Sequence, residues 1–205
     1  MTEHPDAWSD PAPDQSIPLL AALRDDLLAH IPVDRLKVSW PRLALLCLLT
    51  AVRSTGFHAT LAYRLSHTLQ GRLGPPGRLA AAFVSWCARR AYRCAIAPSA
   101  RLHGGLILPH PQGIVVDAGT VVGPRAWIFQ NVSIGMAPGR AGLPRVGADA
   151  RIFAGAVLTG PIIVGNCVAI GANAVVHRDV PSRSIVRPPA AEYVPRTVLS
   201  GGRPI

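Results

Sequence analysis

The sequence predicts an α+β chain: an N-terminal α-helical region followed by a three-sided parallel β-helix of hexapeptide repeats. Two observations carry this expectation. Apolar residues recur at helical spacing up to residue 94, and beyond it aliphatic residues recur every six positions. A third agrees with them: the 19 Gly and 20 Pro follow no Gly-X-Y period and punctuate many short elements.

Residues 1–16 hold Glu3, Asp6, Asp10 and Asp14 among three prolines and read as a disordered N-terminus. They show no basic stretch leading into an apolar one, so no secretion signal is expected. Residues 17–94 read as the helical domain. Ser16 is placed to cap a first helix in which Leu19, Leu20, Leu23, Leu27 and Leu28 share a face, with Asp25 and Asp26 on the other side. Pro32 and Pro41 bracket a connection, and residues 43–51 and 57–69 continue as helices. The charge-free run 43–52 is too short for a bilayer core of ~30 Å and reads as a buried helix. Gly74-Pro75-Pro76-Gly77 reads as a loop before a last helix, 78–94, carrying Phe83, Trp86, Cys87 and Tyr92.

Residues 95–190 read as the β-helix domain, with 191–205 as a C-terminal tail. The six-residue beat runs Val116, Val122, Ile128, Ile134, then Val146, Ile152, Leu158, Val164, Ile170, Val176, with an earlier set in another register at Ile96, Leu102, Leu108, Ile114. Four places beyond most anchors stands a small or β-branched residue: Thr120, Ala126, Val132, Ala150, Ala156, Val168, Ala174. A period of six matches neither an α-helix nor the alternation of an ordinary strand. It suits a triangular solenoid, in which the anchor points inward and the small residue lets the chain turn a corner; about four coils fit into 96–181. Residues 136–144 break the beat and read as a loop projecting from the prism, the kind of place where sites are built.

The formal charge of +10 is unevenly spread: residues 1–34 contain seven acids and one arginine, whereas 35–116 contain eleven basic residues and no acid. The arginines are dispersed singly, with no aromatic-and-basic stripe. Nucleic acid and membrane are therefore set aside as partners in favour of a small polyanion. Cys47, Cys87, Cys94 and Cys167 form no C-x-x-C pair and read as free, mostly buried thiols of a cytoplasmic protein. No His shares a metal-ligand spacing with Cys or acids, so no metal is expected.

Several segments together resemble the serine acetyltransferase family of hexapeptide-repeat acyltransferases, including its sugar-acetylating relatives. They are Gly56-Phe57-His58-Ala59, similar to G-F-H-A; Tyr63-Arg64-Leu65-Ser66-His67, similar to Y-R-x-x-H; and Leu108-Pro109-His110-Pro111-Gln112-Gly113-Ile114-Val115-Val116, similar to D-H-x-T-G-I-V-V. Gln130-Asn131-Val132-Ser133-Ile134-Gly135 and Ile170-Gly171-Ala172-Asn173-Ala174 complete the likeness, which covers roughly residues 35–190. The resemblance implies a left-handed parallel β-helix and a homotrimer or dimer of trimers. It implies acetyl-CoA as co-substrate and direct transfer to a small-molecule hydroxyl acceptor. On that pattern His110 is the general base, a role suited to imidazole because this residue type titrates near neutrality. Gly135, Ala154 and Ala172 match positions that line the coenzyme groove between prisms. Arg145 and Arg187 are candidates for its phosphates, as are Arg151 and Arg178.

The departures from the family pattern concentrate in the acceptor pocket. The Asp that orients the base aligns with Ala95, the Asp before the base with Pro109, an early acid falls near Trp40-Pro41, and the second family His aligns with Leu143. Arg187 stands for a Gly in the terminal turn. Serine is therefore in doubt as the acceptor, a sugar or a natural-product intermediate being equally admissible, and His103 and Gln130 are candidates to supply polar groups to it. Two other readings stay open: a catalytically degenerate scaffold, and an N-acetyltransferase using the same base on an amine.

Overall fold

The computed structural model describes residues 18–31 and 39–192. The expected disordered N-terminus, and all of the expected tail but residues 191 and 192, lie outside them. Among the described residues four helices come first: α1 Leu19–Ala29, α2 Trp40–Arg53, α3 Thr55–Arg72 and α4 Gly74–Tyr92. Pro18 occupies the N-cap of α1, and Ser16 lies outside the described residues. The Gly74–Gly77 stretch is not a loop. It is the first turn of α4, where proline gives up an amide hydrogen that has no helical partner anyway.

The rest of the chain winds as a left-handed parallel β-helix with three flat faces. Face I stacks β1 Ala95–Ile96, β3 Val115–Val116, β6 Ser133–Gly135, β9 Val157–Thr159 and β12 Val175–Val176. Face II stacks β2 Arg101–Leu102, β4 Val121–Val122, β7 Arg145–Val146 and β10 Ile163–Val164. Face III stacks β5 Trp127–Ile128, β8 Arg151–Ile152, β11 Ala169–Ile170 and β13 Ile185–Val186. All thirteen strands pair in parallel, and like positions align: Ile96 with Val116, Val116 with Ile134, Ile134 with Leu158, Leu158 with Val176.

Every hexad anchor points into the prism, from Leu102 at 0% exposed to Ile96 at 8%. The small residues four places on, Thr120 and Ala126 among them, are equally buried. Face I has five strands, so the stack is one turn taller than the expected four. Val180 and Val186 extend it, the first only four residues after Val176. The earlier set in another register has a simple cause. Ile96, Leu102 and Leu108 stand one turn before Val116, Val122 and Ile128, and the step from Leu108 to Val116 takes eight residues instead of six. The two extra residues fall in the corner that holds His110.

The helices are clamped to the first coil by the side chains of Y-R-x-x-H. Tyr63 donates its hydroxyl to the Ala100 carbonyl at 2.7 Å and accepts from the Leu102 amide at 3.0 Å; burial pushes its pKa up. Arg64 donates to the carbonyls of Leu102 and His103, and His67 Nδ1 donates to the Pro98 carbonyl at 2.7 Å. Asp26, expected on the polar side of α1, is fully buried. It receives Arg64 Nε at 2.9 Å, Arg64 Nη2 at 3.1 Å and the Leu106 amide at 2.8 Å. One carboxylate thus ties α1 to α3 and both to the β-helix.

The run 43–52 corrects a second expectation. It is helical but not buried: Leu45, Leu48 and Val52 are 54%, 60% and 66% exposed. Of the thiols, Cys94 is buried and pushed up to about 12 by that burial, whereas Cys87 and Cys167 are exposed. Among the described residues no single helix is long and apolar enough to cross a membrane.

Removing one member of a buried, hydrogen-bonded ion pair strands the other charge. Asp26→Leu is therefore expected to lower unfolding stability by about 3–5 kcal/mol, and Asp26→Leu with Arg64→Met to recover most of the loss. Urea titrations of both variants check this; a single variant as stable as the parent would contradict it.

Candidate active site

His110 stands in the corner between faces III and I, exposed, between the buried Pro111 and the half-buried Pro109. Prolines on both sides fix φ and remove two amide donors, so the turn is stiff. The same corner repeats down the prism. The Asn131 amide donates to the Gln112 carbonyl at 2.9 Å, Gly155 to Gln130 at 3.0 Å and Asn173 to Ala154 at 2.9 Å. This ladder sets Gln112, Gln130, Ala154 and Ala172 on successive rungs of one edge, with His110 two residues before Gln112 in the same corner, and Arg187 follows at its foot, against Gly171.

Each rung turns this corner through a residue with positive φ: Gly113 at 74°, Asn131 at 58°, Gly155 at 72° and Asn173 at 60°. The alternation of Gly and Asn has a steric reason. The amide oxygen of Asn131 occupies the place a Cβ would take on Gly113, and Asn173 does the same over Gly155. Asparagine tolerates the left-handed region better than most residues, and its side chain fills the gap that glycine leaves. Close backbone approach along the edge follows, as a narrow ligand groove needs.

The other site candidates lie elsewhere on this chain. Gly135 ends β6 on face I, and the Asp117 carboxylate fills the space where its side chain would be. That carboxylate accepts the Met136 amide at 3.0 Å and fixes the base of the projecting loop, which Arg140 pins at its far side by donating to the His177 carbonyl at 3.0 Å. Arg145 opens β7 on face II. Arg151 lies on face III with its guanidinium 5.5 Å from the Trp127 ring centroid, beside the stacked Phe129 and Phe153. Arg178 is exposed beyond β12.

His103 follows β2 at the corner between faces II and III. It lines a different cleft, about 460 Å³, with Asp25, Gly104 and Arg125. Arg125 there is paired with Asp149 at 2.5 Å, whose hydrogen bond raises the guanidinium pKa further. One prism therefore does not bring His103, Gly135 or Arg145 to the edge that carries His110.

The sequence reading missed what the helices do for this edge. Gly56, at the start of α3, packs so tightly on the Leu108 carbonyl that a Cβ would overlap it. Leu108 is two residues before His110. G-F-H-A was legible only as a family likeness, because nothing in a lone glycine announces contact with a chain segment fifty positions away. Gln130 holds another unforeseen feature: its side-chain Oε1 is buried with no hydrogen-bond partner among the described residues.

No family model matches the chain. Curated relatives do. The chain is 37% identical over 131 residues to a serine acetyltransferase of Helicobacter pylori, covering 63% of this chain and 75% of that one. This chain belongs to the serine acetyltransferase family. A family member from Escherichia coli is likewise 37% identical over 131 residues, but the match covers 62% of this chain and 46% of that protein. The chain thus spans most of one relative and about half of another. Among solved structures, serine acetyltransferase of Neisseria gonorrhoeae in complex with serine superposes with a TM-score of 0.69 at 29% identity, covering 85% of this chain and 68% of that one. A serine acetyltransferase complexed with CoA gives 0.68 at 28%, covering 82% and 66%.

Adding one methyl at Gly56 forces the Leu108 carbonyl to move. Gly56→Ala is expected to destabilise by about 1–3 kcal/mol, as overpacking does, and to shift the His110 imidazole resonances in the NMR spectrum. Unchanged His110 resonances would show that α3 does not set this corner.

Proposed function

We propose that this protein transfers an acetyl group from acetyl-CoA to the hydroxyl of a small acceptor, with His110 as the general base. The observation that carries the reading is the single edge on which an exposed imidazole stands above small rungs at the half-buried Ala154 and the exposed Ala172. Membership of the serine acetyltransferase family and the likeness to a relative complexed with CoA support it.

The chemistry needs little more. With the pantetheine arm along the edge, the thioester carbonyl lies beside the imidazole. Neutral imidazole takes the hydroxyl proton as the oxygen attacks, so the nucleophile never has to exist as a free alkoxide. The oxyanion is stabilised by backbone amides near the projecting loop of the neighbouring prism, and collapse expels the CoA thiolate, which regains a proton from the imidazolium. Gln130 offers its unpaired carbonyl oxygen one rung below. An orphaned buried acceptor is costly, and a hydroxyl or pantetheine amide donor would satisfy it.

The acceptor is a small hydroxyl compound, with serine less favoured than a neutral or anionic one. On the family resemblance the acid before the base is replaced by Pro109 and the acid early in the helical part falls near Trp40-Pro41, so neither position offers a carboxylate to a cationic amine. A sugar or another neutral or anionic hydroxyl compound fits these residues better. The exposed edge gains its opposite wall from a neighbouring prism, so the working unit is a homotrimer or a dimer of such trimers. Arg145 and Gly135, which lie on other faces, reach the coenzyme only in that arrangement.

His110→Ala is expected to lower acetyl transfer by roughly 10²–10⁴-fold while leaving CoA binding intact. Release of CoA thiol, measured with serine, homoserine and a panel of sugars, reads the first part. Thermal stabilisation by CoA reads the second, about 2.7 kcal/mol at a hundred times its Kd. Equal transfer by the variant would remove the assignment of the base. No stabilisation of the parent by CoA would favour a scaffold without turnover.

A further inference from the structure

We infer that the outer surface of α2–α4 docks on an anionic lipid surface. The β-helix hides its aliphatic residues, but the helices do not. Leu45, Leu48, Leu49 and Val52 follow one another at i, i+3, i+4 and i+7 on α2, and all four are exposed. Arg42 and Arg53 are eleven residues apart, close to three full turns, so both flank this stripe on the same side. An apolar stripe edged by arginine is the pattern of a helix lying in a membrane interface.

The surface continues beyond α2. His58 Nε2 donates to the Ala51 carbonyl at 2.7 Å, which places the last turn of α2 beside the groove that His58 lines. That groove, about 440 Å³, runs between α3 and α4 and is walled by Leu61, Leu65, Phe83 and Cys87. Next to it Phe83 stacks on Trp86, and Arg90 lies over the Trp86 ring at 5.5 Å from its centroid. Aromatic rings with an arginine beside them suit the depth where acyl chains meet headgroups.

Charge decides what covers this surface. Residues 35–116 contain no acid, and the arginines that border this surface are Arg42 and Arg53 on α2 and Arg90 on α4. A second copy of the same surface would set arginine against arginine, whereas anionic headgroups neutralise it at roughly fivefold in affinity per residue. The helices lie on the bilayer instead of crossing it, because α2 and α3 reach spanning composition only as a pair bent by 81°.

The test is flotation of the full chain with vesicles of phosphatidylcholine alone or mixed with phosphatidylserine, at low and high salt. Retention on the mixed vesicles at least about tenfold above that on phosphatidylcholine, lost at high salt, is the expected result. Leu48→Glu with Val52→Glu, both on exposed positions, is expected to abolish retention, and Arg42→Gln with Arg53→Gln to weaken it severalfold. Urea midpoints and acetyl transfer without vesicles stay unchanged in both. Retention absent from the mixed vesicles overturns the inference. So does sedimentation showing that the double Glu variant halves the mass of the assembly, since a second copy would then own this surface. Neither result bears on the role of His110.

Discussion

An aliphatic side chain turned inward at every sixth residue is the constraint on which this molecule rests. Its strands are two or three residues long, far too short to hold a sheet by themselves. They persist because each rung hands its amides to the carbonyls of a neighbouring one while Leu102, Val122, Ile152 and their counterparts close the centre against water. The stack turns distance along the chain into adjacency in space. Residues 112, 130 and 154 become consecutive steps of one edge, and whatever stands on that edge is held by every rung at once. A site on such a scaffold is rigid without needing a large domain around it.

The helices complete the edge. Tyr63, Arg64 and His67 grip the backbone of the first coil, and Gly56 seats the end of α3 on the carbonyl of Leu108. The first coil has no β-strand on its outer side, so these bonds give it the partner that the other coils find in one another. The eight-residue step around His110 departs from the six-residue period of the prism. It lies beside the contact of Gly56 with the Leu108 carbonyl.

The repeat was legible because burial repeats with it: each anchor read from the sequence proved to be an inward residue, and the corner residues followed. The count of turns came out one short, because the four-residue step from Val176 to Val180 breaks the period that made the others visible. Helical elements could be read in number but not in burial. The run around Leu45 and Leu48 looked like core by composition alone, and only packing reveals that it has no covering partner among the described residues. Asp26 was misread for the mirror reason, since its partners Arg64 and Leu106 lie far along the sequence. At the candidate site the family likeness singled out His110 and the two alanines. The shared edge that relates them, and the unsatisfied oxygen of Gln130 beside it, emerged from the ladder of backbone bonds.

A crystal structure of the protein with CoA bound tests most directly whether this edge is where the chemistry happens. The thiol is predicted within reach of the His110 imidazole, with the pantetheine arm running past Ala154 and Ala172. A coenzyme seated on another face, its sulfur remote from His110, would contradict it.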